Sequence, residues 1–64
     1  AAPLLVQALA DPAWWVRFRA GEALATLGDK GVTSLRIAAG ADHDLMRRAA
    51  SLVLAERGLS EATS

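Results

Sequence analysis

Apolar residues recur along this chain at the three- and four-residue spacing of helices rather than the alternate spacing of strands. Leu4, Leu5, Ala8 and Leu9 predict a short helix over residues 3–10, with Pro3 in the first turn, where its missing N–H is not needed. Pro12 ends that helix, because the residue before a proline avoids helical geometry, so Asp11-Pro12 reads as a corner. From about Trp14 to Leu27, the residues Val16, Ala20, Ala23, Leu24 and Leu27 fall on one face and predict a second helix packed against the first. Gly28 sits where a left-handed C-terminal cap is wanted, and Asp29-Lys30-Gly31 reads as a short loop. Val32, Leu35, Ala38 and Ala39 predict a third helix ending at Gly40, and Ala41 to Asp44 form its corner. Leu45 to Arg57 predict a fourth, with Met46, Ala50, Val53 and Leu54 inward and Gly58 as its cap. The polar residues 59–64 are expected to fray.

The second half repeats the first. Shifting the chain by 30 places matches seven of 24 positions over residues 5–28: Leu5/Leu35, Ala8/Ala38, Arg17/Arg47, Ala20/Ala50, Leu24/Leu54, Ala25/Ala55 and Gly28/Gly58. One helical hairpin per unit at a fixed period is the mark of a solenoid. The predicted fold is therefore all-α, an α-solenoid fragment: two antiparallel helical hairpins (four helices) stacked side by side with a right-handed turn. Residues 1–28 form repeat 1, residues 29–58 form repeat 2, and residues 59–64 form a tail. Trp14, Phe18, Gly21 and Ala25 make a second stripe on one long helix, and Leu45, Ala49 and Leu52 make another on its counterpart. The two stripes are expected to meet and stack the repeats, with Gly21 admitting Leu52.

Leu9-Ala10-Asp11-Pro12, then Val16-Arg17, Ala20, Glu22-Ala23-Leu24 and Leu27-Gly28, resembles a HEAT-like repeat, most closely the short bacterial type first associated with phycobilisome lyases. The second unit keeps Asp42, Met46-Arg47, Ala50, Leu54 and Gly58 but lacks the proline. The resemblance covers residues 3–58. It implies that Arg17 contacts Asp11 and Arg47 contacts Asp42, a structural charge ladder along one edge. It also admits several roles, among them scaffold, adaptor and subunit of a bilin lyase.

Composition narrows the function classes. High apolar content with seven basic and seven acidic residues argues against intrinsic disorder, a strongly basic nucleic-acid binder and a polybasic membrane anchor. Without cysteine there is no disulfide or thiolate metal site. No apolar run approaches the roughly 18 residues of a membrane span. The compartment stays open, with the cytoplasm as the default. The polar outer residues of the fourth helix suit a terminal repeat. Leu4, Val6 and Trp15 are expected to be exposed on the opposite side, awaiting upstream repeats or another copy, as in the C-terminal portion of a longer array.

The most partner-like cluster is Trp14, Trp15 and Phe18 interleaved with Arg17 and Arg19, since Trp and Arg are enriched at binding hot spots. The competing reading is inter-repeat core with the arginine stems lying across the rings. Contact with a membrane interface through Trp14 and Trp15, without spanning, is a further alternative. His43 between Asp42 and Asp44 reads as a capped helix start rather than a metal or acid–base site. Arg17, Arg36, Arg47 and Arg48 offer a phosphate- or nucleic-acid-backbone edge that neighbouring acids dilute. No hydroxyl has an evident base and no Gly-rich phosphate loop exists. The chain is thus expected to be a non-catalytic protein–protein interaction module without cofactor or metal, binding another protein or another copy of itself.

Overall fold

The computed structural model describes residues 2–58, which fold into four helices: α1 (Ala2–Ala8), α2 (Trp14–Thr26), α3 (Asp29–Ala39) and α4 (Asp44–Glu56). The tail expected to fray, residues 59–64, lies outside the described residues. The hairpins α1–α2 and α3–α4 pack side by side, with α1 against α3 and α2 against α4. Both α2 and α3 touch all three other helices, so the core lies along their shared seam. Leu9, Leu24, Leu35 and Val53 are fully buried there, with Ala20, Ala38, Ala50 and Leu54 around them. Leu5, Val6, Val32 and Met46 pack against this cluster from its edge.

Helix α1 stops two residues short of the expected end, because the chain is already turning: Leu9 and Ala10 donate their N–H groups to the Val6 and Gln7 carbonyls at 3.1 Å. Leu27 was expected on the inner face of α2. It instead follows the last full turn as the C-terminal cap residue and is 49% exposed. Gly28 and Gly58 have positive φ, 83° and 69°, which favours glycine. Gly28, with ψ −148°, is not the left-handed cap expected of it: the extended ψ turns the chain directly into α3, of which Gly28 is the N-cap. Gly40 ends α3 with φ −102°, an ordinary conformation open to any residue.

The larger departure is at residues 29–31. These form the first turn of α3, not a loop. Gly28 reverses the chain within one residue, and its carbonyl accepts the Val32 N–H at 2.9 Å, which opens the helix immediately. Asp29 lies in that first turn, where a carboxylate favours the positive end of the helix dipole. Gly31 is buried, and a Cβ there would lie 1.7 Å from the Leu24 carbonyl oxygen. Its glycine is used for close helix approach rather than for flexibility.

Gly21 is likewise a contact position, although its neighbour differs from expectation. A Cβ at Gly21 would lie 2.5 Å from Cγ2 of Val53 and 3.7 Å from Cδ2 of Leu9. Val53, not Leu52, is the residue that enters the notch; Leu52 is 54% exposed on the neighbouring ridge of α4. Of the three residues expected exposed on the α1 side, Leu4 and Trp15 are exposed, whereas Val6 is half-buried against the core.

These two glycines should respond differently from Gly40. Gly31→Ala drives a methyl into main chain that cannot swing aside, and a loss of about 3 kcal/mol is expected. In so small a domain that lowers the melting temperature by more than about 10 °C. Gly40→Ala meets only the Ile37 carbonyl oxygen at 3.7 Å, and should leave stability unchanged or slightly raised. Thermal melts followed by circular dichroism decide between them; equal melting temperatures would show that α3 does not press on α2 through Gly31.

Candidate functional site

The two corners are built alike. At the first, the Arg17 guanidinium donates from Nη1 to the Asp11 carbonyl oxygen at 2.8 Å and to the Pro12 carbonyl oxygen at 3.0 Å. At the second, Arg47 Nη1 donates to the Ala41 carbonyl oxygen at 3.2 Å. Both arginines reach back six residues, and the two contacts are related by the 30-residue shift. The arginine recognises the main chain, so the side chain at the corner can change from aspartate to alanine without losing the contact.

This revises the charge ladder. The Asp11 carboxylate is occupied by the N–H of Ala13, which it accepts at 2.9 Å just before α2 begins. Arg17 therefore meets Asp11 through the carbonyl rather than the carboxylate. Arg47 forms an ion pair with Asp44, in the first turn of its own helix, rather than with Asp42. Asp42 is exposed at the corner. His43 occupies the N-cap position of α4 through its main chain alone: its carbonyl accepts the Arg47 N–H at 2.9 Å, and its side chain makes no capping hydrogen bond.

The aromatic–arginine cluster is split by the helix it sits on. Trp14, Phe18 and Arg17 line a groove between α2 and α4, whose other wall is Arg48, Ala49 and Leu52. The cavity there measures about 350 Å³. Trp15 and Arg19 face the other side, lining a shallower groove against α1, where the Arg19 guanidinium carbon lies 5.8 Å from the centre of the Trp15 ring. That distance allows a cation–π contact. None of the three rings is core: Trp14 is 69%, Trp15 52% and Phe18 37% exposed. The inter-repeat packing expected of them is carried instead by the small pair Gly21 and Val53. Trp14 and Phe18, four residues apart, share one side of α2, whereas Trp15 is turned from Trp14 by about 100° and stands over the other groove.

One contact between the repeats escaped the sequence reading. Arg57, the cap residue at the end of α4, forms an ion pair with Glu22 on α2. The signal was present, since the 35-residue separation is one repeat plus little more than one turn. The hydroxyls of Thr26 and Ser34 donate to the Ala23 and Lys30 carbonyls of their own helices. Among the described residues no group of three or more His, Asp or Glu is close enough together to hold a metal ion, and no helix is long and apolar enough to cross a membrane. The grooves offer apolar walls and guanidinium edges, an arrangement suited to binding by burial of apolar surface.

The corner geometry separates Arg17 from the Asp11 charge. Arg17→Met removes both carbonyl contacts and should cost about 2 kcal/mol. Asp11→Asn keeps an oxygen acceptor for Ala13 and should cost only a few tenths of a kcal/mol, whereas Asp11→Ala should cost about 1 kcal/mol. Denaturant titration measures all three; an Asp11→Asn loss as large as that of Arg17→Met would restore a carboxylate–guanidinium pair.

Comparison with known proteins adds the family. No curated protein and no solved structure matches the chain. A family model for HEAT repeats matches residues 1–64, the whole sequence, in agreement with the four packed helices and their 30-residue period. The chain belongs to the HEAT repeat family.

Proposed function

We propose that this chain is a non-catalytic interaction module that docks another protein in the groove between α2 and α4. HEAT repeats generally mediate protein–protein interaction or scaffolding. The observation that carries the reading for this chain is the exposure of Trp14, Phe18 and Leu52 on the walls of one groove. Leaving three large apolar side chains in water forgoes roughly 2 kcal/mol each, which a partner recovers by covering them. The groove has Arg17 and Arg48 in its lining and no carboxylate, so the matching surface is an apolar segment with acidic flanks.

Two other readings have less support. A phosphate-binding edge would use Arg17, Arg36, Arg47 and Arg48, but Arg17 is turned onto main-chain carbonyls and Arg47 onto Asp44. The bilin-lyase role rests on resemblance to one branch of the repeat family, and the match here is to HEAT repeats as a whole.

A photo-crosslinking residue at Ala49, inside the groove, tests the docking directly in an extract of the native host. The expected result is a discrete protein adduct that Trp14→Ala reduces by about thirtyfold, as for a hot-spot ring, and that Trp15→Ala leaves intact. The adduct should change little between low and moderate salt. A yield that falls steeply with salt, or adducts to nucleic acid, would replace this reading with the phosphate edge. Equal loss in the two tryptophan variants would remove the groove as the site.

A further inference from the structure

The second groove, on the α1 side of α2, carries an inference of its own, which shares only Leu52 and Arg48 with the docking groove. Under the 30-residue shift, its residues Leu5, Ala8, Ala20 and Ala23 correspond to Leu35, Ala38, Ala50 and Val53. All four are buried in the core, where Leu54 joins them. The groove is therefore the same stacking surface, left open in repeat 1. The repeat also specifies what a second copy would bring to it, because each contact between the repeats has a counterpart between copies stacked by the same step.

The counterparts fit. Within the chain, Gly21 makes room for Val53. The corresponding pair between copies is Ser51 of one and Ala23 of the next: the added side chain on one face is matched by the γ-methyl groups lost from the other. Within the chain, Glu22 pairs with Arg57. The corresponding pair is Leu52 of one copy and Leu27 of the next, two exposed leucines that the fold itself does not cover. Trp14 and Phe18, facing Ala49 and Leu52 across the first groove, become Asp44 and Arg48 facing Arg19 and Glu22, opposite charges on opposite faces, with Asp44 and Glu22 shared with Arg47 and Arg57 of their own chain. The formal net charge is zero, so copies do not repel as wholes.

We propose that this chain self-associates head to tail, the α3–α4 hairpin of one copy seating on the α1–α2 groove of the next in the step that relates its own repeats. The interface is heterologous and does not close on itself, so it generates open arrays instead of a fixed dimer. Leu27 meeting Leu52 is its apolar contact and the charged pairs set its register, which makes it weaker than the junction within the chain.

Sedimentation velocity on the full chain tests this with two single variants. Wild type should gain mass with concentration without levelling at twice the monomer. Leu27→Glu blocks one face and Leu52→Glu the other, so each alone should require at least about a tenfold higher concentration to associate. Mixed in equal amounts, the two should form a heterodimer, since each retains the face the other has lost. Wild type that stays monomeric, or that stops at a dimer while the mixture is no heavier than its parts, overturns the proposal. Both leucines are exposed, so native helicity is expected; should either glutamate unfold the chain, Leu27→Ser with Leu52→Ser gives the same complementation test. Trp14→Ala lies outside this interface and should leave the association unchanged, which separates it from docking in the α2–α4 groove.

Discussion

The spacing between α2 and α4 is set where Val53 enters the place a side chain would occupy at residue 21. With only a hydrogen there, the Val53 methyl and Leu9 come to rest on the α2 backbone, so a hairpin corner, the first long helix and the last helix meet at one point. Close packing makes this contact stiff, because atoms at van der Waals distance can neither approach further nor separate without losing dispersion energy. The groove lined by Trp14 and Phe18 inherits its width from that point. Rings at residues 14 and 18 stand about two turns and one turn from Gly21 on the same side of the helix, where the helices have been brought near but bulky side chains do not fit between them.

The corners supply the second constraint. A guanidinium that grips main-chain carbonyls holds the backbone whatever side chains the corner carries, which explains how Asp11 can correspond to Ala41 while the arginine contact persists. The arginine is suited to this by its fixed fork of donors and its permanent charge. Its consequence for the surface is electrostatic. Arg17 and Arg47 spend hydrogen-bonding capacity on their own corners, so the repeat edge does not behave as a free row of cations. Recognition at the neighbouring groove then depends more on apolar contact than on charge.

Helix α2 carries apolar residues nearly all round its circumference, and the protein uses each side differently. Ala20 and Leu24 enter the core, Gly21 receives α4, Trp14 and Phe18 stand over one groove, and Trp15 stands over the other. A helix in the interior of a stack is flanked on both sides, and one with an open side shows the same residues to solvent. The exposure of Trp15 follows from that geometry, since Ala50 and Val53, which correspond to its groove neighbours Ala20 and Ala23, are buried where a hairpin does lie alongside.

The sequence by itself determined the number and order of helices, the corners and the period. Those features are local: a 3.6-residue apolar spacing, a proline that removes a donor, and glycines with positive φ act through neighbours in the chain. The tertiary structure alone decided that Gly31 is a contact point rather than a loop glycine. Asp29-Lys30-Gly31 carries the composition of a loop, yet it forms the first turn of α3, and Gly31 is glycine there because the Leu24 carbonyl of another element leaves no room for a Cβ. It also decided that Val53 rather than Leu52 fills the notch, that Arg17 reaches a carbonyl rather than a carboxylate, and that Trp14 and Trp15 face different grooves. A rotation of one helix by a single residue, about 100°, exchanges these outcomes without altering the periodicity, and only packing against the other helices selects the angle.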